Sequence, residues 1–217
     1  MTDVLVFNGS VSNAPCVVDF GNGQSPTTQT VGRLRFINNI QINLQGPSNS
    51  NDASLLVVGG GTASASNDDL YIEAGSTLVL SANSNSTNRY LEVQVASGFK
   101  ALVAGTLTFN NANTTPRLVG SAANAISFTS TGVCNMTNGV GSPFGTTGAN
   151  TLVATGFSDV AAAGSVAFAS GARFNQLGGS GSSPFGPGTT AVASFEPGSN
   201  YVYTAGTLSP PAAPTAT

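Results

Sequence analysis

The sequence predicts an all-β chain wound as a right-handed parallel β-helix, a β-solenoid. Three observations carry this expectation: short β-rich runs bounded by Gly, Asn or Ser, no segment with a helical period, and two phrases that recur along the chain. Residues 141–147 read GSPFGTT and residues 182–190 read SSPFGPGTT. Ser-Pro-Phe-Gly has no chemistry of its own, so its recurrence points to geometry.

Taken in order, residues 4–7 (VLVF) read as the first strand and residues 34–44 (LRFINNIQINL) as the second. In the latter, Ile40, Ile42 and Leu44 alternate with Gln41 and Asn43, so one face is buried and the other wet. Residues 55–58 (LLVV), 70–72 (LYI), 77–80 (TLVL), 90–95 (YLEVQV) and 106–109 (TLTF) follow, each closed by turn formers. Ile126-Ser127-Phe128 then leads through Gly139 to SPFG. Val166-Ala167-Phe168 leads likewise through Gly179 to SPFG, at a shift of 40 until one residue enters before the second Pro. The Ala161–Ala163 run, between Asp159 and Gly164, reads as a loop.

A shorter unit lies inside the longer one. Ile72–Leu78 (IEAGSTL), Val95–Ala101 (VASGFKA), Phe168–Phe174 (FASGARF) and Phe195–Tyr201 (FEPGSNY) share an apolar residue, two spacers, Gly, two spacers and an apolar residue. Gly132, in FTSTGVCNM, fits with one insertion. A strand ends, a glycine turns the corner in a conformation other residues resist, and a second strand begins. Repeated about every two dozen residues, this describes one coil of a solenoid, too thin to bury its own core until coils stack. Stacking places Val on Val and Phe on Phe inside, with Asn, Ser and Thr ladders outside. Gly75, Gly98, Gly171 and Gly198 are therefore expected at equivalent corners, and Phe144 and Phe185 at equivalent core positions. SPFG is expected to fix one corner, its Pro starting the turn, its Phe filling the core and its Gly releasing the chain. The alternative is a β-sandwich, whose strands are also short and Gly-bounded. Residues 1–207 read as a single domain and residues 208–217 (LSPPAAPTAT) as a Pro/Ala/Thr-rich linker or tail.

Only 7% of the 217 residues are charged, against roughly 25% in an ordinary domain, so hydroxyls and amides must wet the surface. With six Lys and Arg and a net charge of −3, the chain cannot neutralise many phosphates, and nucleic acid is not an expected partner. No apolar run approaches the roughly 20 residues of a membrane-spanning helix. The opening MTDVLVFNGS lacks the charged head and apolar block of a signal peptide; the expectation is that Met1 opens a trimmed stretch of a longer chain.

Chemistry finds few candidates. There is no His, so Ser-His catalysis is excluded, and Cys16 and Cys134 form no CxxC metal motif. Buried free thiols are the favoured reading of both, and pairing stays open in a secreted protein. Asp68, Asp69 and Glu73 cluster and offer oxygens of the kind Ca²⁺ takes. The stretch ASNDDLYIEAG is no EF-hand, however, and reads as a solvated turn at the head of a strand. Glu92, Lys100 and Arg117 meet on one face only if the coils stack suitably. Gly59-Gly60-Gly61 lacks the GxGxxG spacing and reads as a bend. Glycosylation sequons at Asn8, Asn85, Asn113 and Asn135 are what a chain this rich in Asn and Thr produces. No catalytic, cofactor-binding or metal residue is assigned.

The phrases SGSSPFGPGTTAVASFEPGSNYVY and VAFASGARFNQLGG resemble repeats of large secreted surface proteins of Bacteroidota. In those proteins a PFG…V.F.PGS.Y unit recurs along Gly/Thr/Asn-rich chains that often end in a type IX secretion sorting domain. The likeness covers residues 72–206 and is clearest from 126 onward. It implies export, repetitive β architecture and an extracellular or cell-surface location.

Two functions are weighed. The first is a non-enzymatic extracellular structural or adhesive module, with end-to-end self-association or surface glycans as its partners. The second is a carbohydrate-active or carbohydrate-binding β-helix module. Trp is absent and only Tyr71, Tyr90, Tyr201 and Tyr203 could serve as sugar platforms, which favours the first. An ice-binding face needs Thr-x-Thr ladders, and only Thr106-Leu107-Thr108 comes close.

Overall fold

Runs of alternating apolar and polar residues, each closed within a few residues by a turn, set the architecture. A computed structural model describes residues 3–10, 16–19, 27–46, 53–81, 89–110, 114–137, 142–147, 160–178, 185 and 191–204. They hold eighteen strands and no helix. The first coil carries β1 (Val4–Asn8), β2 (Cys16–Asp19) and β3 (Thr27–Val31), and the second β4 (Arg33–Ile37), β5 (Gln41–Gln45) and β6 (Ala53–Val58). Next come β7 (Leu70–Ile72), β8 (Thr77–Ser81) and β9 (Arg89–Val95), then β10 (Ala101–Val103), β11 (Thr106–Asn110) and β12 (Thr114–Gly120). Three further coils carry two strands each: β13 (Ile126–Phe128) and β14 (Val133–Met136), β15 (Val166–Phe168) and β16 (Arg173–Gln176), β17 (Ala193–Phe195) and β18 (Asn200–Tyr203).

Three sheets result. The first orders β1-β4-β7-β10-β13-β15-β17, the second β2-β5-β8-β11-β14-β16-β18, and the third β3-β6-β9-β12. Every strand pairs in parallel with the equivalent strand one coil away, as in Phe128 with Phe168 and Cys134 with Phe174. This is the parallel β-solenoid the sequence predicts. A sandwich of antiparallel sheets is set aside.

Register turns alternation into a core. Phe7, Phe36, Ile72, Val103, Phe128, Phe168 and Phe195 form one column of the first sheet. Within it Phe7 stacks on Phe36 at 5.2 Å, and Phe128, Phe168 and Phe195 stack at 4.4 and 4.5 Å. Ile42, Leu78, Leu107, Cys134 and Phe174 form the facing column of the second sheet and are all buried. Each such side chain gains about 1.5–3 kcal/mol by leaving water, which no isolated coil could secure.

The long run 34–44 is two strands. Asn38 and Asn39 both take φ 59° and turn the chain between β4 and β5, a conformation Asn tolerates because its side chain bonds locally. Strands β2, β3 and β12 have no clear sequence signal. Pro116 in β12 is accommodated because β12 is the outer edge of the third sheet, where a missing N–H costs little.

The corner expectation needs a correction. Gly75, Gly171 and Gly198 do occupy one corner, between first-sheet and second-sheet strands, with φ of 88°, 88° and 89°. Each is the third residue of a turn closed by a backbone bond, Ser76 N to Glu73 O, Ala172 N to Ala169 O and Ser199 N to Glu196 O. Positive φ at that place is what a type II turn requires. Gly98 (φ 85°) makes the same turn, Phe99 N bonding Ala96 O, but between β9 and β10, where the third sheet gives way to the first. One local phrase serves two corners, so the 23 residues from Gly75 to Gly98 are not a coil. Coils instead run from 25 residues (Ala101 to Ile126) to 40 (Ile126 to Val166).

The SPFG phrase also finds a different place. Residues Ser142 to Gly145 form a turn, Gly145 N bonding Ser142 O at 2.9 Å, and Pro143 O accepts from Leu118 N of β12 at 2.9 Å. The turn thus carries the third face one coil beyond its last strand. Phe144 is fully buried against Phe109, Phe128, Phe168 and Phe174. Phe185 repeats this one coil on, against Phe174, Phe195 and Tyr201. The two phenylalanines are equivalent, as expected; Ser183, Pro184, Gly186 and the tail 208–217 lie outside the described residues.

Cys134 is buried and free. Cys16 lies in the same register column of the second sheet, with β5, β8 and β11 between them. Four strand spacings are about 19 Å, far beyond disulfide reach. Burial pushes the Cys134 thiol well above its ordinary value. Cys134 is therefore expected to resist a thiol reagent in the native protein and react on denaturation; mass mapping of the labelled peptide checks this.

Candidate functional site

The charged residues are the first place to look. Asp69 is fully buried at the head of β7, where its carboxylate accepts from Ser64 N at 2.6 Å and Lys100 N at 2.9 Å. Arg33 Nε stands 3.8 Å from it. Asp68 accepts from Ser64 Oγ at 2.5 Å and pairs with Arg35 at 3.3 Å, and Arg35 also lies over the Tyr71 ring at 5.1 Å. Glu73 sits at the other end of β7 and accepts from Asn38 N at 2.5 Å. The three acids therefore do not converge. Among the described residues no group of three potential metal ligands forms. These carboxylates tie one coil's corner to the next, and Glu196 repeats the device by accepting from Ser170 N at 3.3 Å.

Glu92 and Arg117 do come together, as register partners on β9 and β12. They are only 2% and 5% exposed, and so closed to a substrate. Lys100 is elsewhere: its ammonium donates to Ala123 O at 3.3 Å and Asn124 O at 2.8 Å, capping the next coil's corner. The glycine run is a bend, since Gly59 N and Gly60 N both bond Val31 O.

Two surfaces remain. The outer flank of the second sheet is a ladder of amides and hydroxyls, joined at β16 by Arg173, whose Nε donates to Asn175 Oδ1 at 2.7 Å. Asn175 Nδ2 donates to Asn135 Oδ1 at 2.8 Å, Asn135 Nδ2 to Thr108 Oγ1 at 3.5 Å, and Thr137 Oγ1 to Asn110 Oδ1 at 2.9 Å. Sequence reasoning foresaw such ladders from the composition. The second surface is the outermost coil, where end-to-end association is expected from the sequence but the apolar exposure of β1 is not. There Val4, Leu5 and Val6 of β1 are 47%, 42% and 44% exposed. The signal was present in the register: Leu5 belongs to the column of Leu34, Leu70, Ala101, Ile126, Val166 and Ala193, all buried, yet is itself 42% exposed.

At the opposite end Tyr201 stacks on Phe174 at 5.6 Å and donates its hydroxyl to Gln176 Oε1 at 2.5 Å. Burial, helped by Tyr203, raises its pKa from 10.0 to about 12. The folded state thus holds this proton more tightly than the unfolded state. Its contribution is whole below pH 10 and is lost as pH rises toward 12. Tyr201→Phe is expected to flatten the fall in stability across that window in alkaline denaturation curves; an unchanged slope would contradict the assignment.

No helix among the described residues is long and apolar enough to cross a membrane. The chain matches no known family model, no curated protein and no solved structure.

Proposed function

We propose that the chain is a non-enzymatic extracellular module, structural or adhesive, that works through its shape and joins end to end with copies of itself. The observation that carries this reading is the stacking itself: seven coils in register, a ladder of amides and hydroxyls along one flank, and outermost strands that pair on one side only among the described residues. Acid–base catalysis needs groups converging on a reacting atom in an open site. Asp69, Glu73 and Glu196 each hold a backbone amide of a neighbouring corner instead, which supports a non-catalytic reading. Amides and hydroxyls do not titrate near neutral pH and are little affected by salt, so an adhesive ladder built from them would keep its grip across variable surroundings. The extracellular placement rests on the resemblance to secreted surface repeats.

Incubation with a panel of polysaccharides, with product detection and binding assays in parallel, tests the reading. Binding without turnover supports it. Turnover abolished by changing Asp68, Asp69 or Glu92 would replace it with a carbohydrate-active enzyme.

A further inference from the structure

We infer that the joint between copies is a continuation of the solenoid: β1 of one copy adds in parallel to β17 of the next, and β2 to β18, in the register of the internal coils. This rests on the self-association reading above and specifies how the copies meet.

The columns supply the first argument. Phe7 and Phe195 belong to one column, in which each step between two phenylalanines is a face-to-face ring stack at 4.4 to 5.2 Å. Seating Phe7 on Phe195 of another copy repeats that step once more. Leu5 then lies over Ala193, and its 42% exposure is removed as it is for every other member of its column. In the second sheet the Tyr201 and Tyr203 positions meet those of Cys16 and Val18.

Hydrogen-bond parity supplies the second. Asp3 O and Gly9 N bond β4, so the odd residues of β1 face inward and Val4, Val6 and Asn8 direct their amides and carbonyls to the free edge. Val192 O and Glu196 N bond β15, so Ala193 and Phe195 direct theirs outward. In the internal register Val166 N donates to Val192 O, and the same offset aims Ala193 N at Val4 O and Val6 N at Ala193 O. Donors meet acceptors without adjustment.

Edge protection supplies the third. Natural sheets blunt exposed edges with Lys, Pro, bulges or inward charges. Strands β1, β17 and β18 contain no charged residue and no Pro, and Asp19 at the end of β2 is the single charge on the four strands of the joint. A head-to-tail contact that carries each copy forward along the solenoid axis does not close into a ring and propagates as a filament.

Register-specific cross-linking tests this. Val6 and Ser194 share an outer column, and in one copy they are separated by six strand spacings, about 29 Å. Val6→Cys with Ser194→Cys, in a Cys16→Ser background, is expected to give a ladder of covalent oligomers on mild oxidation. Either cysteine alone should give none. Leu5→Lys, compared with the parent at a concentration where its melting curve shows a folded copy, should raise the concentration needed for assembly at least tenfold, because an unpaired charge would be buried in the joint. Dimers from Val6→Cys alone would place like ends together and overturn the proposed register. Assembly of the parent chain without a cross-linked ladder would overturn the register while leaving self-association standing. A parent chain that sediments as a monomer at every concentration would overturn both.

Discussion

Phe144→Ser should lower the unfolding free energy by about 3–5 kcal/mol, the range for emptying a buried aromatic site. The ring is fully buried and touches four others, Phe109 and Phe174 of the second sheet and Phe128 and Phe168 of the first. It is the piece that fills the third face after β12, the last strand of that sheet. Serine would leave a cavity and place a hydroxyl among apolar rings, and both terms are unfavourable. For a chain of this size the melting temperature should fall by about 10 °C. Urea titration supplies the free energy. Leu177→Ser, at a site 46% exposed, is the control and should stay within about 0.5 kcal/mol. Equal stability of Phe144→Ser and the parent would contradict the core assignment.

Gly105→Ala should cost about 3 kcal/mol, the upper end of overpacking effects, and more than Gly98→Ala. Gly105 sits at the corner between β10 and β11. A methyl there would meet Glu73 O at 2.2 Å and Ser76 O at 2.3 Å, both belonging to the preceding coil's turn. Those oxygens cannot retreat freely, because Ser76 O accepts from Thr106 N and Gly105 N itself bonds Ile72 O. Gly98 is the opposite case: nothing lies within 4 Å of the added methyl, but φ is 85°. Only the left-handed conformation is penalised there, about 1–2 kcal/mol. Parallel denaturation curves rank the two; the reverse order would mean that strain and not coil spacing limits these corners.

How far the sequence discloses this molecule varies by element. The strands at 70–72, 77–81 and 106–110 were legible because alternation and flanking glycines agree. The equivalence of Phe144 and Phe185 was legible because a rare phrase marks both. The strand at 27–31 (TTQTV) was not, since it has almost no apolar residue and owes its state to pairing with β6. Nor was the break at Asn38-Asn39, where apolar residues continue on both sides and only backbone conformation separates two strands. Gly98 misled because identical turn chemistry closes two different corners. Of the surfaces, the amide ladder followed from composition, whereas the exposure of Leu5 emerges only from the register that aligns it with six buried residues.

Cryo-electron microscopy of the chain at a concentration where it assembles tests the central claim, that a stacked parallel solenoid extends itself by adding copies end to end. The account predicts a continuous fibre with strands perpendicular to its axis, a layer spacing of about 4.8 Å and a subunit repeat of about 34 Å, seven coils per copy. Closed rings, copies packed side by side, or strands running along the axis would contradict it.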